Sequence, residues 1–444
     1  MSLPLAIYAM SLRATPSNEE MLPQECAELY RTRSNIVWGC LTTIILCTWI
    51  SMHPNVPEPV NMTGYGRWET VKAHSRRFIN SRLVPFIVAL LAPEWILLFS
   101  QVQCAVATRI AKKHGLSRSQ VFFIIMGGFH LFERNVDIIN NSTTFLTTEA
   151  ANEVEFTTSR LLATDDTEIP RHPLDRFDVL DLLYAGKLEM PRPGEIQDKS
   201  KNDWIAKTTV VVQTAWFIAQ CIGRKAQRLP LAELEVITLA YTLVNLMIYI
   251  NWWDKPYQVA EPVRYYGELP ERDHKHPMSK EIPKLPVITR MLLYLVCIQD
   301  EFTDLRRLKR TPTFYTGATS YGDEQFASMR GLWILFVVGT AFGGIHLLAW
   351  ASFFPTPLER LLWRLSAITL TVGPFLTPTL SIIFLALMNC FNTSSILRII
   401  VSTISPIVYL ISRGISMTVA LTTLRNLPPE AYRNLEWSNF LPHT

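Results

Sequence analysis

Charged side chains are scarce. They make up 18% of the 444 residues, where a soluble globular chain carries about 25%. So little charge cannot coat the surface of two or three soluble domains. The excess of one sign is also small, +4 with a pI near 8.6, and that excludes a nucleic-acid footprint. The seven cysteines, Cys26, Cys40, Cys47, Cys104, Cys221, Cys297 and Cys390, include no Cys-x-x-Cys pair. That argues against a paired-thiolate zinc site or a disulfide framework. Several lie in apolar runs and read as small buried side chains.

Catalytic signatures are missing as well. There is no GxxxxGK[ST], so no P-loop, and no HExxH, GxSxG or GxGxxG after a strand. No HxxHH boxes occur, and TDDTE at 164–168 offers only two adjacent acids. HKH at 274–276 reads as a solvated charge run. No cofactor follows from the sequence.

Apolar side chains are abundant: 49% of the chain, with 12 Trp and 22 Phe. Mean hydropathy is +0.16, which fits several membrane spans joined by sizeable polar segments. Seven stretches are long enough to cross or nearly cross about 30 Å of hydrocarbon. They are Ile36–Met52, Leu83–Ser100, Thr208–Gly223, Val236–Trp253, Gly331–Phe354, Leu365–Met388 and Leu397–Ala420. VFFIIMGGFHLF at 121–132 is too short to span and reads as re-entrant, interfacial or buried. MLLYLVCIQDEFTDLRRLKR at 291–310 reads as an amphipathic helix lying on the membrane. NWWDKP at 251–256 reads as an interfacial anchor.

The predicted fold class is all-α, a polytopic transmembrane helical bundle of about 6–8 spans with two polar loop regions. An N-terminal segment, 1–35, precedes a first membrane region, 36–132, and a polar loop region, 133–207. A membrane hairpin, 208–253, leads to a second polar region, 254–330. A C-terminal membrane region, 331–420, and a tail, 421–444, complete the chain. MSLPLAIYAMSLRATPS at the N-terminus has a short apolar patch but no basic n-region, and so matches a signal peptide only poorly.

Orientation stays open. Arg67, Lys72, Arg76, Arg77 and Arg82 favour a cytosolic side, yet Arg109, Lys112, Lys113 and Arg118 follow the next span. The glycosylation candidates are Asn140, Asn141, Asn392 and Asn61. With seven spans the first three share one side and Asn61 lies on the other.

Two groups stand out at membrane depth. Glu94 sits beside Pro93 in LVPFIVALLAPEWILLFS. A charged carboxylate at the bilayer centre costs at least about 2.5 kcal/mol. Glu94 is therefore protonated, paired, or facing a wet cavity: a proton-handling or ligand-binding acid, or a structural acid bonded to an indole or guanidinium. His346, behind two glycines in GGIH, reads as a ligand, a proton relay or base, or a neutral ring bonded to a carbonyl. His130 in MGGFH carries the same alternatives. Glu94 and His346 are the candidate catalytic acid–base pair. Gln213, Asn245 and Asn251 read as helix–helix glue.

The chain resembles a group of uncharacterised fungal multi-pass membrane proteins. The resemblance rests on SNIVWGCLTTIILCTWISMHPNVP, LLAPEWILLFSQ, FFIIMGGF, EIQDKSKNDWIAKTTVVVQTAWFIAQCIGR, LPLAELEVITLAYTLVNLMIYINWWDKP and GGIHLLAWASFFPTPLERLLWRLSA. These pieces run from about residue 34 to 366. Similar proteins begin with a clearer apolar leader. Some members look like accessory genes of fungal secondary-metabolite clusters, which transfers no catalytic residue here.

The leading functional expectation is a membrane protein, in the ER or vacuole rather than the plasma membrane. It would serve biosynthesis of an apolar, terpenoid- or polyketide-like metabolite. It would modify a lipid-soluble substrate or scaffold soluble pathway enzymes. The alternative is a transporter or receptor-like protein. Expected partners are the lipid bilayer, an apolar small molecule and soluble pathway enzymes, with no nucleic acid.

Overall fold

The computed structural model describes residues 30–59, 66–134, 168–200, 203–272, 300, 303–318, 336–390 and 395–436. The sequons at Asn61, Asn140, Asn141 and Asn392 and the HKH run lie outside them. The helices are α1 (Arg33–Ser51), α2 (Arg67–Phe78), α3 (Val84–Leu91), α4 (Pro93–His114), α5 (Arg118–Ile125), α6 (Arg176–Tyr184) and α7 (Pro193–Asp198). They continue with α8 (Asp203–Ala226), α9 (Glu233–Asn251), α10 (Phe336–Ala349), α11 (Pro357–Cys390) and α12 (Ser395–Thr423). Among the described residues three strands accompany them: β1 (Phe129–Arg134), β2 (Glu168–Pro173) and β3 (Val263–Tyr265). The protein is mostly helical, but this sheet corrects the all-α expectation.

Among the described residues four helices are long and apolar enough to cross a membrane: α1, α8, α9 and the Ile407–Asn426 portion that begins in α12. A fifth is added if a bent pair counts as one span. That pair is Arg67–Leu91 and Pro93–His114, and it bends by 117°. The 83–100 run is thus not one straight crossing. The chain turns at Ala92, whose φ of −147° and ψ of 68° end α3, and α4 restarts at Pro93. Proline fits the first helical position because its missing N–H would have no intrahelical partner there.

Two compact units divide the chain. The first takes residues 1–50, 208–246 and 336–444; the second takes 51–207 and 247–335.

In the first unit, polar side chains bond between apolar helices. Gln213 Nε2 donates to Thr43 Oγ1 at 2.9 Å, and Asn245 Nδ2 to Thr48 Oγ1 at 2.9 Å. Gly343 lets α10 and α11 touch backbone to backbone, since a Cβ there would stand 2.2 Å from the Thr371 nitrogen. The outer faces stay apolar: Val212 is 61% exposed, and Trp38, Trp216, Ile222 and Ile411 are exposed too.

The second unit surrounds the sheet, in the order β2-β1-β3, with β1 antiparallel to β2 and parallel to β3. Central β1 is buried on both faces through Phe129, His130 and Phe132. Edge strand β2 carries Pro170 and Pro173, which an edge tolerates because only one side needs ladder donors. The core joins Phe123, Met126, Phe129, Leu174, Val179 and Val259. Gly127, at φ 85°, turns the chain from α5 into β1, so the apolar 121–132 run splits into a buried helix and a strand. Helix α4 is a core element here, with Leu97, Phe99, Val106 and Ala107 buried.

The amphipathic helix expected over 291–310 is corrected where it can be followed. Residues 303–310 form only a 3-10 turn, Leu305–Arg307. Asp304 caps that turn, and Arg306 reaches a buried carboxylate, as described next.

Candidate functional site

The second unit buries two polar centres. One grows from the motif NWWDKP, where Trp253 is 47% exposed but Trp252 and Lys255 are drawn inside, which corrects the anchor reading for those two. Trp252 is fully buried and Lys255 is 1% exposed, while Asp254 turns outward to pair with Arg118. The turn after α9 places the Lys255 stem in the protein. Its Nζ donates to Gln103 Oε1 at 2.9 Å and Asn55 Oδ1 at 3.1 Å, and lies 4.7 Å from the Trp252 ring centroid.

The acceptors are fixed by their own amides. Gln103, on α4, donates through Nε2 to the Tyr315 carbonyl at 3.0 Å, and its Oε1 also accepts from the Trp252 indole at 2.9 Å. Asn55 donates through Nδ2 to the carbonyls of Pro312 at 2.9 Å and Tyr315 at 3.3 Å. Both amide oxygens therefore point at the amine. Asn55 also lines a shallow recess with Pro54, Ser81, Arg310 and Thr313.

Among the described residues no carboxylate pairs with Lys255. Burial pushes its amine well below the usual lysine range. Beside it His53 is 1% exposed, its ring centroid 5.1 Å from that of Tyr257 and 5.9 Å from that of Trp252. His53 Nδ1 donates to the Ser51 carbonyl at 3.0 Å. That fixes the neutral tautomer, leaving Nε2 with its lone pair and no hydrogen-bond partner. Burial, with the Lys255 charge second among the lowering causes, pulls His53 down to about 3. The centre thus holds an amine and an imidazole that both resist protonation.

The second centre joins three carboxylates and two guanidiniums. Asp175 caps α6, accepting from the Phe177 and Asp178 nitrogens at 2.9 and 2.8 Å. Arg272 bridges Asp175 at 2.6 Å and Asp304 at 2.9 Å. Arg306 meets Asp178 at 2.6 and 3.1 Å. Burial, then the neighbouring Asp178, raises Asp175 to about 6. Charges this closely matched clamp loop to helix. Close by in sequence, buried Asp300 accepts from the Thr316 nitrogen at 2.6 Å and the Gly317 nitrogen at 2.9 Å. Burial raises it to about 7 against those bonds.

The predicted site residues fall elsewhere. Glu94 belongs to the second unit, where it is 4% exposed in the first turn of α4. There the helix dipole favours a negative charge. His346 belongs to the first unit, 2% exposed, with Nδ1 donating to the Phe342 carbonyl at 2.9 Å and its own carbonyl accepting from Trp363 Nε1 at 3.2 Å. His130 is buried on β1, and burial lowers it to about 4. Among the described residues no three His, Cys, Asp or Glu side chains gather to hold a metal.

Asn55, Gln103 and Lys255 were not singled out from the sequence. The available signal was Gln103 in an apolar helix and a lysine two residues after a pair of tryptophans.

One family model, described as a family of unknown function (DUF8562), matches residues 5–279 and 330–444. No curated protein and no solved structure matches the chain.

Proposed function

We propose, for a chain that belongs to this family of unknown function, an integral membrane protein acting in the biosynthesis of an apolar, lipid-soluble metabolite. In this reading six to eight helices cross an endomembrane, the ER or vacuole. The observation that carries it is the outward face of the spans. Val212, Trp216 and Ile222 on α8 are large, apolar and exposed, an arrangement that water penalises and lipid does not. An apolar intermediate partitions into that same phase. Lys255 supplies the chemistry in this reading: an amine of lowered basicity beside a neutral imidazole is suited to taking a proton from a bound substrate.

A second reading, a membrane platform for soluble pathway enzymes, is favoured by the internal contacts of Lys255. Asn55, Gln103 and Trp252 account for its contacts, which tie three segments together.

Deletion with untargeted metabolite profiling should remove a lipid-soluble product, and re-expression should restore it. An unchanged profile would refute the biosynthetic role. Complementation with Lys255→Met, at normal membrane abundance, separates the readings: loss of product favours chemistry at the amine, and full rescue favours the platform. Glu94→Gln and His346→Ala in the same assay test the acid–base pair, and unaltered product from both would remove it.

A further inference from the structure

Residues 67–83 form one unbroken helical rod, α2 and a following π-helical turn, which runs on into α3. At about 100° per residue, Thr70, Ala73, Arg77 and Asn80 fall on one side. These four positions are half-buried, and this side is fastened to the protein. The Arg77 guanidinium meets Glu261 at 3.2 Å and the Ala260 carbonyl, and Thr313 Oγ1 donates to the Asn80 carbonyl at 3.3 Å.

The opposite side presents Trp68, Val71 and Ile79, which are 78%, 55% and 44% exposed. Arg67, Lys72 and Arg76 flank this stripe and are exposed. The one acid of the helix, Glu69, turns back to its own Gly66 N–H at 3.4 Å. Exposed apolar side chains continue along α3 through Val84, Ile87 and Leu91.

An apolar stripe edged by cations matches the boundary between acyl chains and anionic headgroups. We infer that residues 67–83 lie in the headgroup layer, with Trp68, Val71 and Ile79 in the acyl boundary and Arg67, Lys72 and Arg76 on anionic phospholipids. Arg77, on the fastened side, is held by Glu261 and takes no part in the stripe. The bend at Ala92 then turns the chain out of that layer into the packed core helix α4. This rests on the membrane reading above.

The test uses the full-length protein in nanodiscs of mixed phosphatidylcholine and phosphatidylserine. One variant carries Trp68→benzoylphenylalanine. A second carries Val212→benzoylphenylalanine on α8, which reports the membrane reading alone. Light should cross-link both positions to lipid, and position 68 should prefer phosphatidylserine. Each basic side chain is worth roughly five-fold. Lys72→Gln with Arg76→Gln should therefore cut that preference by on the order of ten-fold or more, leaving position 212 unchanged. Lipid capture at 212 but not at 68 overturns the inference while the membrane reading stands. Capture at 68 without a preference, or with one the neutral variant keeps, also overturns it. Capture at neither position removes both.

Discussion

Lys255→Met should flatten the alkaline pH dependence of stability. In the folded protein burial holds the amine well below the usual lysine range, while in the unfolded chain it titrates near about 10.4. Between those two values unfolding takes up a proton, so stability rises with pH. The slope is at most about 1.4 kcal/mol per pH unit. From pH 7 to 9 the wild type should gain up to about 2.7 kcal/mol that Lys255→Met lacks. For a unit of this size that is a divergence of roughly 5–10 °C in midpoint. At pH 7 the substitution itself should be mild, within about 1 kcal/mol, because removing a buried amine also removes its desolvation cost. Gln103 Oε1 keeps its bond from Trp252, and Asn55 Oδ1 keeps a 3.4 Å contact with Gln103. Gln103→Leu should cost more, about 1–3 kcal/mol, since it leaves the Trp252 indole N–H without a partner and the amine with Asn55 alone. Thermal unfolding of the purified full-length protein in detergent, read by tryptophan fluorescence from pH 7 to 9, measures all three. Parallel pH curves for wild type and Lys255→Met would mean that the amine keeps its proton in the fold, and the argument from burial would fail.

Acid should also weaken the second unit. His53 is pulled down to about 3, so unfolding takes up a proton between about pH 6.5 and 3 and stability falls across that window; His53→Gln should remove this part of the loss in acid titrations. Asp178→Ala removes the carboxylate that Arg306 pairs with, while Arg272 keeps Asp175 and Asp304, and should lower stability by about 3 kcal/mol. Glu133→Ala, which breaks an exposed pair with Arg171, should change it by less than about 1 kcal/mol in the same melts. Gly343→Ala should cost about 1–3 kcal/mol or abolish expression, since its Cβ meets the Leu370–Thr371 backbone. Gly344→Ala, with nothing within 4 Å, should be nearly neutral, and comparing detergent-extracted yields and melting points separates the two.

Much of the first unit was legible in the sequence. A run such as 36–52 has one stable form out of water, a helix that satisfies its own backbone donors and acceptors. Hydropathy alone therefore located α1, α8, α9 and part of α12. Gln213 and Asn245 were legible as glue because a polar side chain among apolar neighbours needs a bond. The 83–100 run misled because hydropathy does not register direction. Its composition suits a crossing, yet the chain turns by 117° at Ala92, and Glu94 then stands in a helix's first turn. The sheet escaped notice for a related reason: β1 borrows its partners from positions 168–173 and 263–265, far along the chain.

Composition and the spacing of apolar runs by themselves determined that this chain is built from helices suited to lipid, because backbone desolvation depends only on local sequence. Which polar side chains meet was decided by the tertiary structure alone. Asn55, Gln103 and Lys255 come from three distant segments, and only their convergence makes a lysine after two tryptophans a buried amine instead of a membrane anchor.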